Sequence, residues 1–230
     1  MKIRLFTLPN FITLGNLFCG ALATVSVLVN GDLTTAFWLI VAAAVCDFFD
    51  GMVARLMGLS GPLGVQLDSL ADDISFGLAP SAVLFSLFHR LNAHLLPDWV
   101  GYLCFLFAAF AALRLAKFNI DEEQHTEFRG LPTPAATLFV VGLGLIAERG
   151  ALPVPAWSVL LVVALLSFLM VSNIPMFSLK FKGFGWKGNE LRYIFLLVAA
   201  VLILTLGLYA VQAIILLYVL ISILRQSLKG

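Results

Sequence analysis

From Thr34 to Asp73 the chain reads TTAFWLIVAAAVCDFFDGMVARLMGLSGPLGVQLDSLADD. An apolar run occupies its first half, a short glycine-rich turn (Gly58 to Gly64) interrupts it, and a second apolar run continues from it toward Phe88. Asp47, Asp50, Asp68, Asp72 and Asp73 lie in or at the ends of these runs, and Arg55 is the only basic residue between Pro9 and Ser81. An ionised aspartate at the centre of a membrane span costs about 2.5–3.5 kcal/mol. Placement near a helix end lowers that cost, and crowding of like charges raises it again. Aspartate-rich, base-poor clusters of this kind suit divalent cations.

Helical spacing sharpens the case. Asp47 and Asp50 are three residues apart and Asp68 and Asp72 four, so each pair shares one helix face. Read as a helix hairpin, the stretch puts the first pair in the last turns of one span and the second pair in the first turns of the next. All four carboxylates then lie at similar depth and can converge. Gly51, Ala54 and Gly64 leave room beside them for a substrate, although taken singly the first two equally read as helix-packing residues. Arg55 can answer a phosphate oxygen with paired hydrogen bonds, or is an ordinary charge at a membrane face.

Composition agrees with burial in lipid. Of 230 residues 61% are hydrophobic and 12% charged, against about 45–50% and about 25% in soluble domains. A formal charge of +1 offers no net basic field for a nucleic acid, so none is expected as a partner. Cys19, Cys46 and Cys104 lie in apolar runs without paired spacing and read as small buried hydrophobes. Lys2 and Arg4 before an apolar run could pass for a leader peptide, but Pro9, Asn10, Thr13 and Asn16 interrupt the run, which continues to Val29. A first membrane span is the preferred reading.

Spans are expected at about 10–30, 34–57, 63–88, 99–119, 134–148, 154–173, 192–208 and 210–226. With eight spans and the amino terminus in the cytoplasm, twelve of the 14 Lys and Arg residues fall inside, and Arg90 and Arg149 outside. The expected fold is therefore all-α, a polytopic membrane helix bundle of about eight transmembrane helices with both termini cytoplasmic, in one integral membrane domain over 1–230. The loop from Ile174 to Glu190 mixes lysines (180, 182, 187) with aromatics, a composition that suits the headgroup layer or a plain inside loop. His89, His94 and His125 show no ligand spacing.

The acidic stretch fills every fixed position of D-x2-D-G-x2-A-R-x8-G-x3-D-x3-D, from Asp47 to Asp72. At about one in fifteen per residue type, a chance match of this pattern in the chain is on the order of one in ten million. The chain thereby resembles the CDP-alcohol phosphotransferase family. The resemblance implies a catalytic core of six spans with two divalent ions, Mg²⁺ or Mn²⁺. Asp47, Asp50 and Asp68 would be metal ligands, and Asp72 would both touch metal and act as general base. Asp50, Gly51, Ala54 and Arg55, with Gly61 and Gly64 of the turn, would face the cytidine diphosphate. The start of the first span, at Asn10 and Thr13, would help to hold the nucleotide, although polar residues there also read as helix caps.

Outside the signature the chain is similar to one branch of that family, the bacterial and archaeal phosphatidylserine synthases. The matching stretches are Leu8 to Gly20, Ser75 to Pro80, Arg114 to Asn119, Gly130 to Ala136 and Met170 to Pro175. The resemblance covers about 8–190, leaving about 191–226 as additional helices matched only in hydropathy. It implies CDP-diacylglycerol and L-serine as substrates, a cytoplasm-facing site in the inner membrane, and a homodimer. Arg114, Lys117 and Asn119 are the expected acceptor or phosphate contacts, with Lys117 where many relatives carry arginine. The first two also read as basic anchors at the membrane face. Asp73 could meet the serine ammonium or pair with Arg114. Other acceptors (glycerol phosphate, inositol phosphate or choline) share the chemistry. An ion transporter would instead spread its carboxylates through the membrane depth.

Overall fold

The computed structural model describes residues 5–93, 95–121, 128–150, 154–177, 185–186 and 189–227. Eight apolar helical segments follow one another in these residues: α1 (Leu8–Asn30), α2 (Leu33–Leu56), α3 (Pro62–Leu91), α4 (Asp98–Ile120), α5 (Thr133–Glu148), α6 (Trp157–Val171), α7 (Glu190–Leu206) and α8 (Ala210–Ser227). The first four are long and apolar enough to cross a membrane. The other four are shorter, with 16, 15, 17 and 18 residues. The lysine and aromatic cluster of the 174–190 loop falls largely outside the described residues, as do His94 and His125.

Lipid, not water, explains where the apolar residues go. On α1 one face (Asn10, Thr13, Asn16, Gly20, Ala23) is buried, while Phe11, Leu14, Phe18, Leu22 and Val25 point outward. The polar side chains turn in and the large apolar ones out, as an apolar solvent requires. α3 is the least apolar of the four long helices and the most enclosed. It touches α1, α4, α5 and α6. The chain is an integral membrane protein.

Local chemistry sets the ends. Thr7 caps α1, Gly31 ends it in the left-handed conformation (φ 67°), and Asp32 caps α2 through the Thr35 amide at 2.8 Å. At this end of the bundle Arg90 pairs with Glu148 at 3.1 Å and also reaches the Gly31 carbonyl, tying α3 to α5 and to the α1–α2 turn. Gly207, at φ 54°, separates α7 from α8.

Two features differ from a bundle of plain helices. A two-residue antiparallel ladder pairs β1 (Phe128–Arg129) with β2 (Pro175–Met176), joining the segments before α5 and after α6. Within α3, Asp73–Leu78 forms a π segment directly after Asp72. Pro80 has no N–H, so in a regular helix the Phe76 carbonyl would lack its donor. The Thr137 hydroxyl of α5 supplies one at 2.7 Å. Ser81 similarly donates to the Gly77 carbonyl at 2.8 Å and accepts from the Ala108 amide of α4 at 3.0 Å. Thr137→Val is isosteric and strips this donor from a water-free interior. It should cost about 1–3 kcal/mol, read as a lower Tm in detergent with the helix content unchanged.

Candidate active site

α2 ends at Leu56, Gly58 turns the chain in the left-handed conformation (φ 62°), and Pro62 starts α3. This short hairpin faces the end of α2 toward the start of α3. Ligand oxygens of Asp47, Asp50 and Asp68 consequently lie within 4.8 Å of one another. Asp50 is buried, and Asp47 and Asp68 are half-buried. One oxygen of Asp50 (Oδ2) and one of Asp68 (Oδ1) are buried without a hydrogen-bond partner. Buried carboxylate oxygens normally find donors. Three converging acids with unclaimed lone pairs form a donor set that fits a hard divalent cation.

Asp72 stands outside this tight triad. It lies a helical turn further along α3, is 8% exposed, and accepts a hydrogen bond from the Asn16 side-chain amide at 3.0 Å. It remains within electrostatic range of Asp47, Asp50 and Asp68. Asn16 is fully buried, and its backbone carbonyl accepts from the Ser75 hydroxyl at 2.9 Å, so α1 grips both sides of the point where the π segment begins. Neither contact was among the expected site features. The available signal was spacing: Asn16 continues Asn10 and Thr13 at intervals of three on an otherwise apolar span.

Beside the triad opens a cleft of about 160 Å³. Asn10 and Thr13 line it from α1; Asp50, Gly51, Ala54 and Arg55 from α2; Gly61, Gly64 and Asp68 from the turn and α3. These include all eight residues expected to face a nucleotide. Arg55 is exposed, and its Nη1 stands 3.6 Å from where a Cβ on Gly51 would be. The Asn10 amide donates to the Leu5 carbonyl at 2.8 Å, and the Thr13 hydroxyl to the Pro9 carbonyl at 3.1 Å, so both side chains also serve the helix start. A Cβ on Gly61 or Gly64 would meet nothing within 4 Å. Protein packing does not demand glycine at either position.

The expected acceptor residues separate. Arg114 is buried, within electrostatic range of Asp72, and donates to the Thr133 hydroxyl at 2.8 Å. Its Nε is buried without a partner. Arg114 thus meets Thr133, and no ion pair joins it to Asp73 among the described residues. Lys117 donates to Asn173 at 2.7 Å, and Asn119 to Ser69 at 2.7 Å.

Comparison with known proteins gives one answer. The model of the CDP-alcohol phosphatidyltransferase family matches residues 6–172. The CDP-diacylglycerol–serine O-phosphatidyltransferase of Bacillus subtilis is 36% identical over 168 residues, 73% of this chain and 88% of its own. The protein of the same name from Helicobacter pylori (strain 26695) is 32% identical over 96% of this chain and 91% of its own. A third, from Methanocaldococcus jannaschii, is 35% identical over 60% of this chain and 61% of its own. With its signature filled, its acidic side chains drawn together and most of its length matched, the chain belongs to the CDP-alcohol phosphatidyltransferase family.

Proposed function

We propose that the protein moves the phosphatidyl group of CDP-diacylglycerol onto the hydroxyl of L-serine, giving phosphatidylserine and CMP. The observation that carries this reading is the acid triad, with Asp50 and Asp68 lining the cleft between α1, α2 and α3 and Asp72 a turn further along α3. The three relatives named above carry that activity in their names.

In this reading Asp47, Asp50 and Asp68, with Asp72, hold two divalent ions, Mg²⁺ or Mn²⁺. Such ions, when bound, neutralise the diphosphate and stabilise the departing CMP. The side chains do the rest. Asn10, Thr13, Gly51, Ala54, Gly61 and Gly64 admit the cytidine diphosphate, and Arg55 meets a phosphate oxygen. Asp72, oriented by Asn16, takes the proton from the serine hydroxyl. The freed oxygen attacks the phosphorus that bears the diacylglycerol, the anhydride bond breaks, and CMP leaves with the bridging oxygen.

Arg114 holds the serine carboxylate or the lipid phosphate beside Asp72, with Lys117 and Asn119 on the rim. A phosphorylated acceptor would call for further cations near Asp72, and Lys117 is engaged with Asn173. The bundle end with the triad also carries Arg55, Arg114 and Lys117, and the opposite end carries Arg90 and Arg149. The positive-inside rule then turns the site toward the cytoplasm, in the inner membrane, with both termini on that side. The chain acts as one membrane domain over 1–230, with a core at about 8–190 and added helices at about 191–226, and pairs as a homodimer.

The deciding experiment is CMP release from CDP-diacylglycerol by purified protein, with serine compared against glycerol phosphate, inositol phosphate and choline. Serine should support turnover and the others should not; release without dependence on serine rejects the acceptor. Arg114→Ala removes a charge-assisted contact and should raise the serine KM about tenfold or more. Gly64→Val fills space that only a ligand needs. The variant should keep the parent's Tm while its KM for CDP-diacylglycerol rises about tenfold or more, the cost of excluding one good contact.

A further inference from the structure

The matched family region ends at residue 172, yet the helices beyond it reach back to the acceptor side of the site. Phe177, just after β2, is buried, and α8 grips both of its backbone groups. The Tyr218 hydroxyl donates to the Phe177 carbonyl at 3.1 Å, and the Phe177 amide donates to Ser222 Oγ at 3.4 Å. The Ser222 hydroxyl in turn donates to the Tyr218 carbonyl at 2.7 Å. The rings of Phe177, Phe195 and Tyr218 pack at centroid distances of 4.8, 5.3 and 6.1 Å, which brings α7 into the same cluster.

From Phe177 the connection runs to Arg114 through short contacts. β2 pairs with β1. The next residue, Gly130, donates to the Ile174 carbonyl at 2.9 Å, and Leu131 donates to the Leu169 carbonyl at 2.9 Å. Gly130 has φ 77°, and a Cβ there would run into the Met170, Ser172 and Leu169 carbonyls, so the clasp closes only on glycine. Two residues after Leu131, Thr133 accepts the Arg114 guanidinium. Tyr218 also lies within electrostatic range of that guanidinium.

We propose that α8 serves the acceptor side of the site, with Tyr218 as a positioning residue. Its hydroxyl holds Phe177, and the β1–β2 clasp and Thr133 pass that restraint to Arg114. The inference rests on the reading of Arg114 as an acceptor contact. Among the described residues the cleft beside Asp50 is lined from α1, α2, α3 and the turn between the last two, and not from α8, so nucleotide binding does not share the dependence.

The test is steady-state kinetics of full-length Tyr218→Phe and Ser222→Ala, each removing one neutral hydrogen bond to Phe177. The serine KM should rise about three- to tenfold in each, while kcat and the KM for CDP-diacylglycerol stay within about twofold. In an Arg114→Ala background Tyr218→Phe should add nothing further, because both act through one group. A serine KM unchanged in both variants overturns the proposal, as does a joint fall of Tm, kcat and both substrate affinities. If Tyr218→Phe does not fold, Ser222→Ala, which leaves the ring cluster whole, decides by the same criteria. Absence of serine-dependent CMP release from the unaltered protein would instead overturn the function itself and this inference with it.

Discussion

Asp72→Asn is expected to lower turnover by about 10²–10⁴-fold, the range a positioned general base contributes. The amide is the same size as the carboxyl and keeps an oxygen for the Asn16 donor, which now stands 3.0 Å from Oδ1. Folding and the α1–α3 contact should therefore survive. What disappears is the capacity to accept a proton from the acceptor hydroxyl. Because Asp72 does not line the cleft beside the triad, and the amide oxygen of Asn can still face an ion held mainly by the other three acids, affinity for CDP-diacylglycerol should hold near the parent value. Rapid-quench measurement of CMP release, with lipid binding followed by calorimetry, separates the two quantities. Parent-like turnover would remove Asp72 from the chemistry.

Asp68→Asn should abolish both turnover and the response to divalent cations, with an effect on stability of opposite sign in the two metal states. Without metal, three carboxylates share a space less than 5 Å across with buried, unclaimed oxygens. Like charges at such distances repel strongly in a medium of low dielectric. Neutralising one relieves that repulsion, so the metal-free variant should melt above the metal-free parent. With metal the order reverses. A ligand at 100 times its Kd stabilises the parent by about 2.7 kcal/mol, and the variant forgoes that gain. Thermal melts with chelator and with added Mg²⁺ or Mn²⁺ show both signs. In the parent, chelation should stop turnover and either ion restore it. A variant that still shifts its Tm with the ions would remove Asp68 from the ligand set.

Much of the architecture was legible from local pattern. Apolar runs separated by glycine, proline or charge placed eight helical segments close to their observed bounds, because span length depends only on consecutive residues. The triad was legible for a related reason. Residues three or four apart share a helix face, and a short glycine-rich turn leaves two helices little choice of how to meet. Arg114, Lys117 and Asn119 come from one matched stretch, and the fold hands them to Thr133, Asn173 and Ser69 respectively. Helix phase alone does not tell which of several neighbouring polar side chains faces a site.

By itself the sequence determined that this chain lives in a membrane, that its acids converge at one end of a helix hairpin, and which family it joins. Each of these rests on spacing within about forty residues. The tertiary structure alone decided that Asn16 holds Asp72, that Thr137 bonds the Phe76 carbonyl within the π segment, and that α8 fastens Phe177 behind Arg114. Those contacts join residues 56, 61 and 41 positions apart. The reason is physical: where water is absent every buried polar group needs a partner, and which distant group supplies it depends on how the helices pack.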